Sequence, residues 1–496
     1  MKALFNGFRK LVICTLRRIM IVGGPHKQYP MSRRLLTDLF GLVCLITMFS
    51  FACFLAPAEG RTATQLFNDT GGDWSRASLT EAGVKVAPIA ELVGAIKRGD
   101  YKNVHSVLLA RGGRLILEEY FQGYDREKPH QIRSAVKSIG SVLVGIAIDR
   151  GYLSGVDEPI CRYFKDRTAS WDDRGRAVTI KSLLTMTSGF ECDDHRGDPF
   201  QCERAMKQAE DWVDFALNLP MAHPPGEYWA YNSTSLILLS EIIMQVTGRS
   251  VPLFAEKYLM QPLGITGFRW GFSPKGRAWL GGSASMRPRD MARFGQMCLN
   301  KGVWQNRWIV SDKWLAESTR LHVYSEYGME YGYLWWRGHQ MINGQRLEAF
   351  WAQGNGGQVI FICPTVDLVA VFTGGNYNSI LELQFMGMLI NYILPAMLPS
   401  GPRKTFISPD KQAIAALAGH YRCNQLYLDL FGDGAALAGQ LAGQKLDILF
   451  EANDRIFVYS PILGNMSGKI LRDTDGNPTG LLLNTAFSNL RFNKLG

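Results

Sequence analysis

Arg133-Ser134-Ala135-Val136-Lys137-Ser138-Ile139-Gly140, with the run Ser141 to Gly151 behind it, decides how this chain is read. Apolar residues recur at Ile139, Val142, Leu143 and Ile146 before Gly151, which is the period of a buried helix with a glycine stop. Ser134 and Lys137 stand at its entrance, three residues apart and so one turn apart on the same face. A serine hydroxyl is a poor nucleophile until a neighbouring base takes its proton. Lysine is that base only when neutral, and burial and the positive end of a helix dipole both disfavour its ammonium form. Taken alone, the pair reads equally well as a helix N-cap beside an exposed lysine. A second copy, Ser408-Pro409-Asp410-Lys411, follows the turn-forming Pro399-Ser400-Gly401-Pro402 and reads as an N-cap.

With 47% hydrophobic and 20% charged residues in 496, the chain is globular and long enough for more than one domain. Residues 1–58 carry eight Lys/Arg and one Asp, which is +7 of the formal +10. The rest is close to neutral, so nucleic acid is excluded as a partner. Met31-Ser32-Arg33-Arg34 precedes the apolar run Leu39 to Leu55 and the small residues Ala56-Pro57-Ala58. That order reads as a secretory signal peptide starting at Met31 and cleaved after Ala58, which places the protein in the periplasm or outside the cell. The alternative is an uncleaved inner-membrane anchor formed by residues 39–55. Export permits disulfides. Of the six cysteines beyond residue 58, Cys192 and Cys202 flank a short polar loop that a bridge would close, whereas Cys298 and Cys363 sit in apolar runs as buried thiols. Cys192, Asp193, Asp194 and His195 lack two further ligands at metal-site spacing, so no metal is expected.

Pro88 to Lys97 reads as an amphipathic helix with proline at its first position. Ser106–Ala110 and Arg114–Phe121 flank Arg111-Gly112-Gly113, a hairpin with a glycine turn. Thr179 to Gly189 reads as a helix running into a loop. The segment Pro224 to Ser235 leads into an apolar helix from Leu236, which puts Tyr231 and Ser233 on a scaffolded loop. Tyr231 is either core or a proton relay, the latter if a nearby ammonium lowers its pKa toward neutrality. Met291 to Leu299 is a further helix, and Tyr331–Trp336 and Leu347–Ala352 read as strands. Gln353-Gly354-Asn355-Gly356-Gly357-Gln358 then opens the strands Val359–Cys363 and Leu368–Phe372. Its glycines admit close approach by another backbone or a substrate, and the Asn355 N–H and Ser134 N–H form a candidate oxyanion pair. Asn376 to Met397 reads as a closing apolar helix.

Six phrases in order, "GRLILEEYFQGYD" (113–125), "RSAVKSIGSVLVGIAIDRG" (133–151), "LLTMTSGF" (183–190), "PPGEYWAYNS" (224–233), "YGYLWW" (331–336) and "GNGGQVIFICPTVDLVAVFTGGN" (354–376), together with "RPRDMARFGQMCLNKGVW" from Arg287, resemble the serine β-lactamase and penicillin-binding-protein superfamily. The resemblance lies on the class C-like side, which also holds esterases, D-alanyl-D-alanine peptidases and 6-aminohexanoate-dimer hydrolases. It implies an α/β (α+β sandwich), β-lactamase/transpeptidase-like domain over 59–400: an antiparallel sheet flanked by helices, plus an all-helical lobe. It further implies Ser134 as acylated nucleophile, Lys137 as its base and Tyr231 as the proton shuttle to the leaving group. Ser233 takes the third position of the Tyr-x-Asn element, and the Gly354-Asn355 turn, with Gln353 and Gly356 beside it, falls where the family's Lys/His-Thr/Ser-Gly strand runs. Gln353 stands where a cationic or hydroxyl residue often holds a substrate carboxylate. With Tyr-Asn-Ser, it turns the expectation from β-lactams toward a small-molecule ester, linear amide or D-amino-acid peptide. The alternatives are a β-lactamase, a D-alanyl-D-alanine carboxypeptidase, or a non-catalytic peptidoglycan-binding module of the same fold. No cofactor is implied.

From residue 401 to 496, short alternating segments with glycine turns follow Ala415-Ala416-Leu417, as in a small β-sheet or barrel. They resemble the lipocalin-like C-terminal modules of some superfamily members. Asp473-Thr474-Asp475-Gly476-Asn477 reads as an acidic hairpin turn before it reads as a calcium loop.

Overall fold

The computed structural model describes residues 74–495, except 199, 327, 402–403, 424–425, 433–435, 442 and 486–488. The expected signal peptide or anchor over 1–58 lies outside the described residues.

The main sheet has eight strands: β1 (Val104–Arg111), β2 (Arg114–Tyr120), β3 (Val323–Tyr324), β4 (Glu330–Tyr331), β5 (Trp336–Ile342), β6 (Gln345–Gly354), β7 (Gln358–Cys363) and β8 (Leu368–Gly374). They pair in the order β2-β1-β8-β7-β6-β5-β4-β3, antiparallel throughout. β1 to β2 is the expected hairpin, with Gly112 and Gly113 at positive φ, as a tight primed turn requires. β1, β7 and β8 are buried along almost their whole length, so they carry near-continuous apolar runs instead of alternation. Val359 lies opposite Phe372 and Ile360 opposite Val371, so the two pairs face opposite sides of the sheet. One side receives the helix Pro288–Leu299, whose Gly295 passes so close that an added Cβ would lie 2.7 Å from Val369 and 2.8 Å from Ile360. The other receives the helical segment Gln384–Met397, with Phe385 against Phe372.

The chain between β2 and β3 builds the helical lobe. Its centre is the helix Val136–Asp149, buried from Val136 to Ala147. Side chains on all its faces are thus covered, which is why its sequence is apolar nearly all round. Here an amine at Lys137 and hydroxyls at Ser138 and Ser141 are taken out of water with it.

Several local expectations shift. The helix expected from Pro88 runs Val86–Arg98, so Pro88 is its third residue, still within the first turn where an amide has no partner to lose. Tyr331–Trp336 is not one strand: β4 ends at Tyr331, a turn with Leu334 at φ 61 follows, and β5 begins at Trp336. Aromatic density there reflects burial of a turn. The closing helix starts as a short 3-10 turn at Ile380, capped by Ser379, and not at Asn376. Ser408 is not the N-cap of its helix: Asp410 is, its carboxylate accepting the Ala413 N–H.

Beyond residue 400, eight strands from Gly419–Cys423 to Asn489–Lys494 close into an antiparallel barrel. Its interior is filled by Tyr421, Leu430, Leu441, Ile448, Ile456, Met466, Ile470, Leu483 and Phe492, all buried, as expected when a barrel of this strand number packs side chains inside. A loop of the barrel docks on the closing helical segment: Gly387 N–H donates to Ile462 O (3.0 Å), Asn391 Nδ2 to Ser460 O (3.0 Å) and Asn465 N–H to Asn391 Oδ1 (2.8 Å). Asp473 accepts the amides of Asp475 (3.0 Å) and Asn477 (2.8 Å), the pattern of an Asx-type hairpin turn.

Candidate active site

Ser134 sits on a one-turn 3-10 helix, Arg133–Ala135, that feeds directly into Val136–Asp149. Arg133 before it has φ 50, a conformation that costs a non-glycine residue energy and collects at functional sites. The turn is pressed from outside by the end of β6. A Cβ on Gly354 would stand 2.2 Å from Ile132 O, 2.9 Å from Arg133 Cβ and 3.0 Å from Ser134 N. Only glycine permits that approach, and it brings the Gln353–Asn355 backbone against the serine's own amide.

Lys137 is fully buried. Its Nζ lies 2.7 Å from Ser134 Oγ, 2.5 Å from Gly281 O and 4.7 Å from the centre of the Tyr231 ring. Burial lowers its pKa to about 8, against the opposing pull of the Asp194 and Glu203 carboxyls. That shift brings the neutral amine within reach near neutral pH. In the neutral form the bond reverses, and the Ser134 hydroxyl donates to Nζ.

Tyr231 arrives from the distant loop after Pro224-Pro225 and is held by rings: His195 stacks on it (4.5 Å, 7°), Trp336 lies nearly parallel to it (6.0 Å, 22°), and Trp229 is at 5.9 Å. Burial pushes the phenol pKa up, hydrogen bonding with Ser134 pulls it down, and Asp194 and Glu382 push it further up. The condition attached to the relay reading, a phenol lowered toward neutrality by an ammonium, is not met: the phenol lies above its ordinary pKa and keeps its proton.

Ser233 is buried and tied elsewhere: its N–H donates to Asp194 Oδ2 (2.9 Å) and its carbonyl accepts the Trp279 indole N–H (3.0 Å). Gln353 Oε1 accepts the Trp351 indole N–H (3.1 Å). The Asn355 side chain exchanges two hydrogen bonds with Asn378, and the Gly356 N–H donates to Glu382 Oε2 (3.0 Å). Serine, lysine and tyrosine thus converge on one another, while Ser233, Gln353 and Gly356 support the walls.

Sequence reasoning missed Asp194 as part of this centre. The Cys192–Cys202 disulfide, Cα atoms 5.9 Å apart, closes the loop that carries it. Asp194 N–H donates to Tyr231 O (2.8 Å) while its carboxylate holds Ser233. Its pKa is raised by burial, with Ser233 and Lys137 acting against that rise. The bracketing cysteines were the only signal in the sequence that this loop is held in place. Cys298 and Cys363 are buried free thiols, as their apolar surroundings predict. Asp193, His195 and Glu326 place donor atoms within 4.8 Å of one another, but the Arg196 guanidinium already binds Glu326 (2.5 Å) and lies 3.8 Å from Asp193. Phe190, Phe215, His223 and Tyr228, with Asp193 and Arg196 of the same loop, line a cavity of 490 Å³ that includes none of the three converging residues.

The family profile described as Beta-lactamase matches residues 101–377. A 6-aminohexanoate-dimer hydrolase of Paenarthrobacter ureafaciens is 25% identical over 225 residues, 42% of this chain and 55% of that protein. The chain thus spans about half the length of the curated relative it matches. Among solved structures, an octameric penicillin-binding protein homologue from Pyrococcus abyssi aligns over 82% of this chain and 99% of its own, at 18% identity and TM-score 0.50. A family VIII carboxylesterase aligns over 63% and 96%, at 16% identity and TM-score 0.50. At these identities the two structures speak for the fold alone.

Proposed function

From the premise that this chain belongs to the beta-lactamase family, we propose that it is an exported serine hydrolase that cleaves a small ester or linear amide through an acyl-enzyme on Ser134. The observation that carries this reading is the 2.7 Å contact between Ser134 Oγ and a fully buried Lys137 whose pKa burial has lowered to about 8.

Neutral Lys137 takes the hydroxyl proton as Oγ attacks the carbonyl carbon. The negative charge that develops on the carbonyl oxygen is met by the backbone N–H groups of Ser134 and Asn355. Tyr231, still protonated, gives its proton to the departing alkoxide or amine and recovers one from the Lys137 ammonium 4.7 Å from its ring. Water then enters by the same route in reverse and releases the acyl group.

The substrate class rests on Gln353, which offers no cation at the end of β6 and is engaged with Trp351. An uncharged ester or a linear amide suits that wall better than a compact ring, and the relative named for an aminohexanoate dimer, itself a linear amide, favours the second. Export agrees with the Cys192–Cys202 bridge, which an oxidising compartment keeps closed.

The test is turnover of p-nitrophenyl esters beside nitrocefin, D-alanyl peptides and linear amide dimers. Ser134→Ala should reduce ester hydrolysis by about 10³-fold or more. Undiminished turnover in that variant would refute the acyl-enzyme.

A further inference from the structure

The turn at the end of β6 is held from outside by residues 376–382. Asn376 N–H donates to Gly356 O (3.2 Å), Asn355 Nδ2 donates to Asn378 Oδ1 (2.6 Å), and the Asn378 backbone N–H donates to Asn355 Oδ1 (2.8 Å). The Tyr377 ring lies on the open face of Gly356, whose φ of 94 needs glycine and whose absent Cβ would be 2.6 Å from that ring. The last tie is ionisable: Gly356 N–H to Glu382 Oε2, 3.0 Å. Glu382 is fixed in the short 3-10 turn Ile380–Leu383, and its own N–H donates to Ser379 O (3.0 Å). Among the described residues it has no ion-pair partner. Tyr231 across the site feels its charge, and the charged and titratable groups on the neighbouring strap and turn are Tyr377 beside Gly356, Arg133 over Tyr377 at 4.9 Å, and His105 beside Gly375.

We propose that Glu382 is a positioning residue for this reaction: by holding the Gly356 amide it fixes the neighbouring Asn355 N–H in the direction the oxyanion needs. The proposal rests on the oxyanion role given to Asn355 above. A carboxylate accepts a stronger, shorter bond than a neutral acid does, so the grip on the turn depends on whether Glu382 is ionised. Burial pushes its pKa up to about 7, with the Gly356 bond acting against that rise. Glu382 therefore changes charge within the pH range in which the lysine does, and both changes lower activity as pH falls.

The experiment is the pH profile of kcat and kcat/KM for a p-nitrophenyl ester with the full chain, comparing wild type, Glu382→Gln and Glu382→Leu, with a thermal melt of each. Wild type should lose activity on the acid side through two ionisations. Glu382→Gln, which keeps an acceptor oxygen but no charge to lose, should show one. Glu382→Leu should lose about 10²-fold in kcat, with a smaller change in KM, as removal of an oxyanion donor does, and Gln should recover most of that loss. Two acid-side ionisations persisting in Glu382→Gln, or wild-type kcat in a folded Glu382→Leu, would overturn the proposal; if Leu does not fold, the Gln profile decides alone. A fluorophosphonate adduct on Ser134 in wild type separates the cases: with it, a negative result sinks Glu382 only, and without it the serine-hydrolase reading falls first and this one with it.

Discussion

Burying an amine with Ser134 Oγ and Gly281 O as its hydrogen-bond partners leaves the ammonium of Lys137 less well solvated than in water, and that deficit makes the base. Asp194 tempers it, since its carboxyl raises the Lys137 pKa. Asp194→Asn should therefore move the lysine's limb of the kcat/KM profile to lower pH, because the neutral amine is reached sooner; a limb displaced to higher pH, or unmoved, would show that Asp194 does not act on Lys137. The same substitution keeps an acceptor for the Ser233 N–H, so the site's shape is preserved. At this scale the sequence was legible where chemistry is local: Ser134 and Lys137 lie one turn apart on one helix entrance, and spacing alone reveals it. Asp194 and Glu382 were not legible, because each acts across a long stretch of chain, on Lys137 and on Gly356 respectively. The direction of the Tyr231 shift was not legible for a related reason: the burial that raises it comes from side chains distant in sequence, such as His195 and Trp336, packed around the ring.

Elements carry the site in unequal ways. The helix Val136–Asp149 and the end of β6 are rigid parts of the core, whereas Tyr231 depends on the loop between Cys192 and Cys202, which supplies both the Asp194 amide on its carbonyl and the His195 ring on its face. A bridge spanning ten residues removes loop entropy worth about 3 kcal/mol from the open forms of that loop. Cys202→Ser, or reduction of the wild type, should thus lower kcat by about tenfold or more through misplacement of Tyr231, with catalysis returning on reoxidation of the wild type only. Full activity under reducing conditions would show that the loop holds its place without the bridge. The Cys192–Cys202 pairing and the glycine-bounded strands could be read from spacing. The Tyr331–Trp336 turn could not, since buried aromatic residues look alike in a strand and in a tight turn packed under helices.

Over the whole molecule, the barrel packs on the domain that carries the beta-lactamase family match. Its interior is occupied by its own side chains, and its loop at Ile462 completes the backbone hydrogen bonding of Gly387 on the segment that backs the main sheet. Alternating segments revealed β structure beyond residue 401, but closure and docking depend on pairings between strands far apart, such as Tyr421 with Lys494. That segment also carries Glu382 toward the active-site turn, so the sheet, the strap and the catalytic pair form one continuous support. The central claim is that this support delivers a neutral Lys137 to Ser134. Its most direct test is the rate at which a fluorophosphonate labels the intact protein as a function of pH, read by intact mass and peptide mapping. One adduct on Ser134, forming faster as pH rises through about 8 and absent in Lys137→Met, is the predicted result; labelling at another residue, or at Ser134 with a rate indifferent to pH and to Lys137, would contradict it.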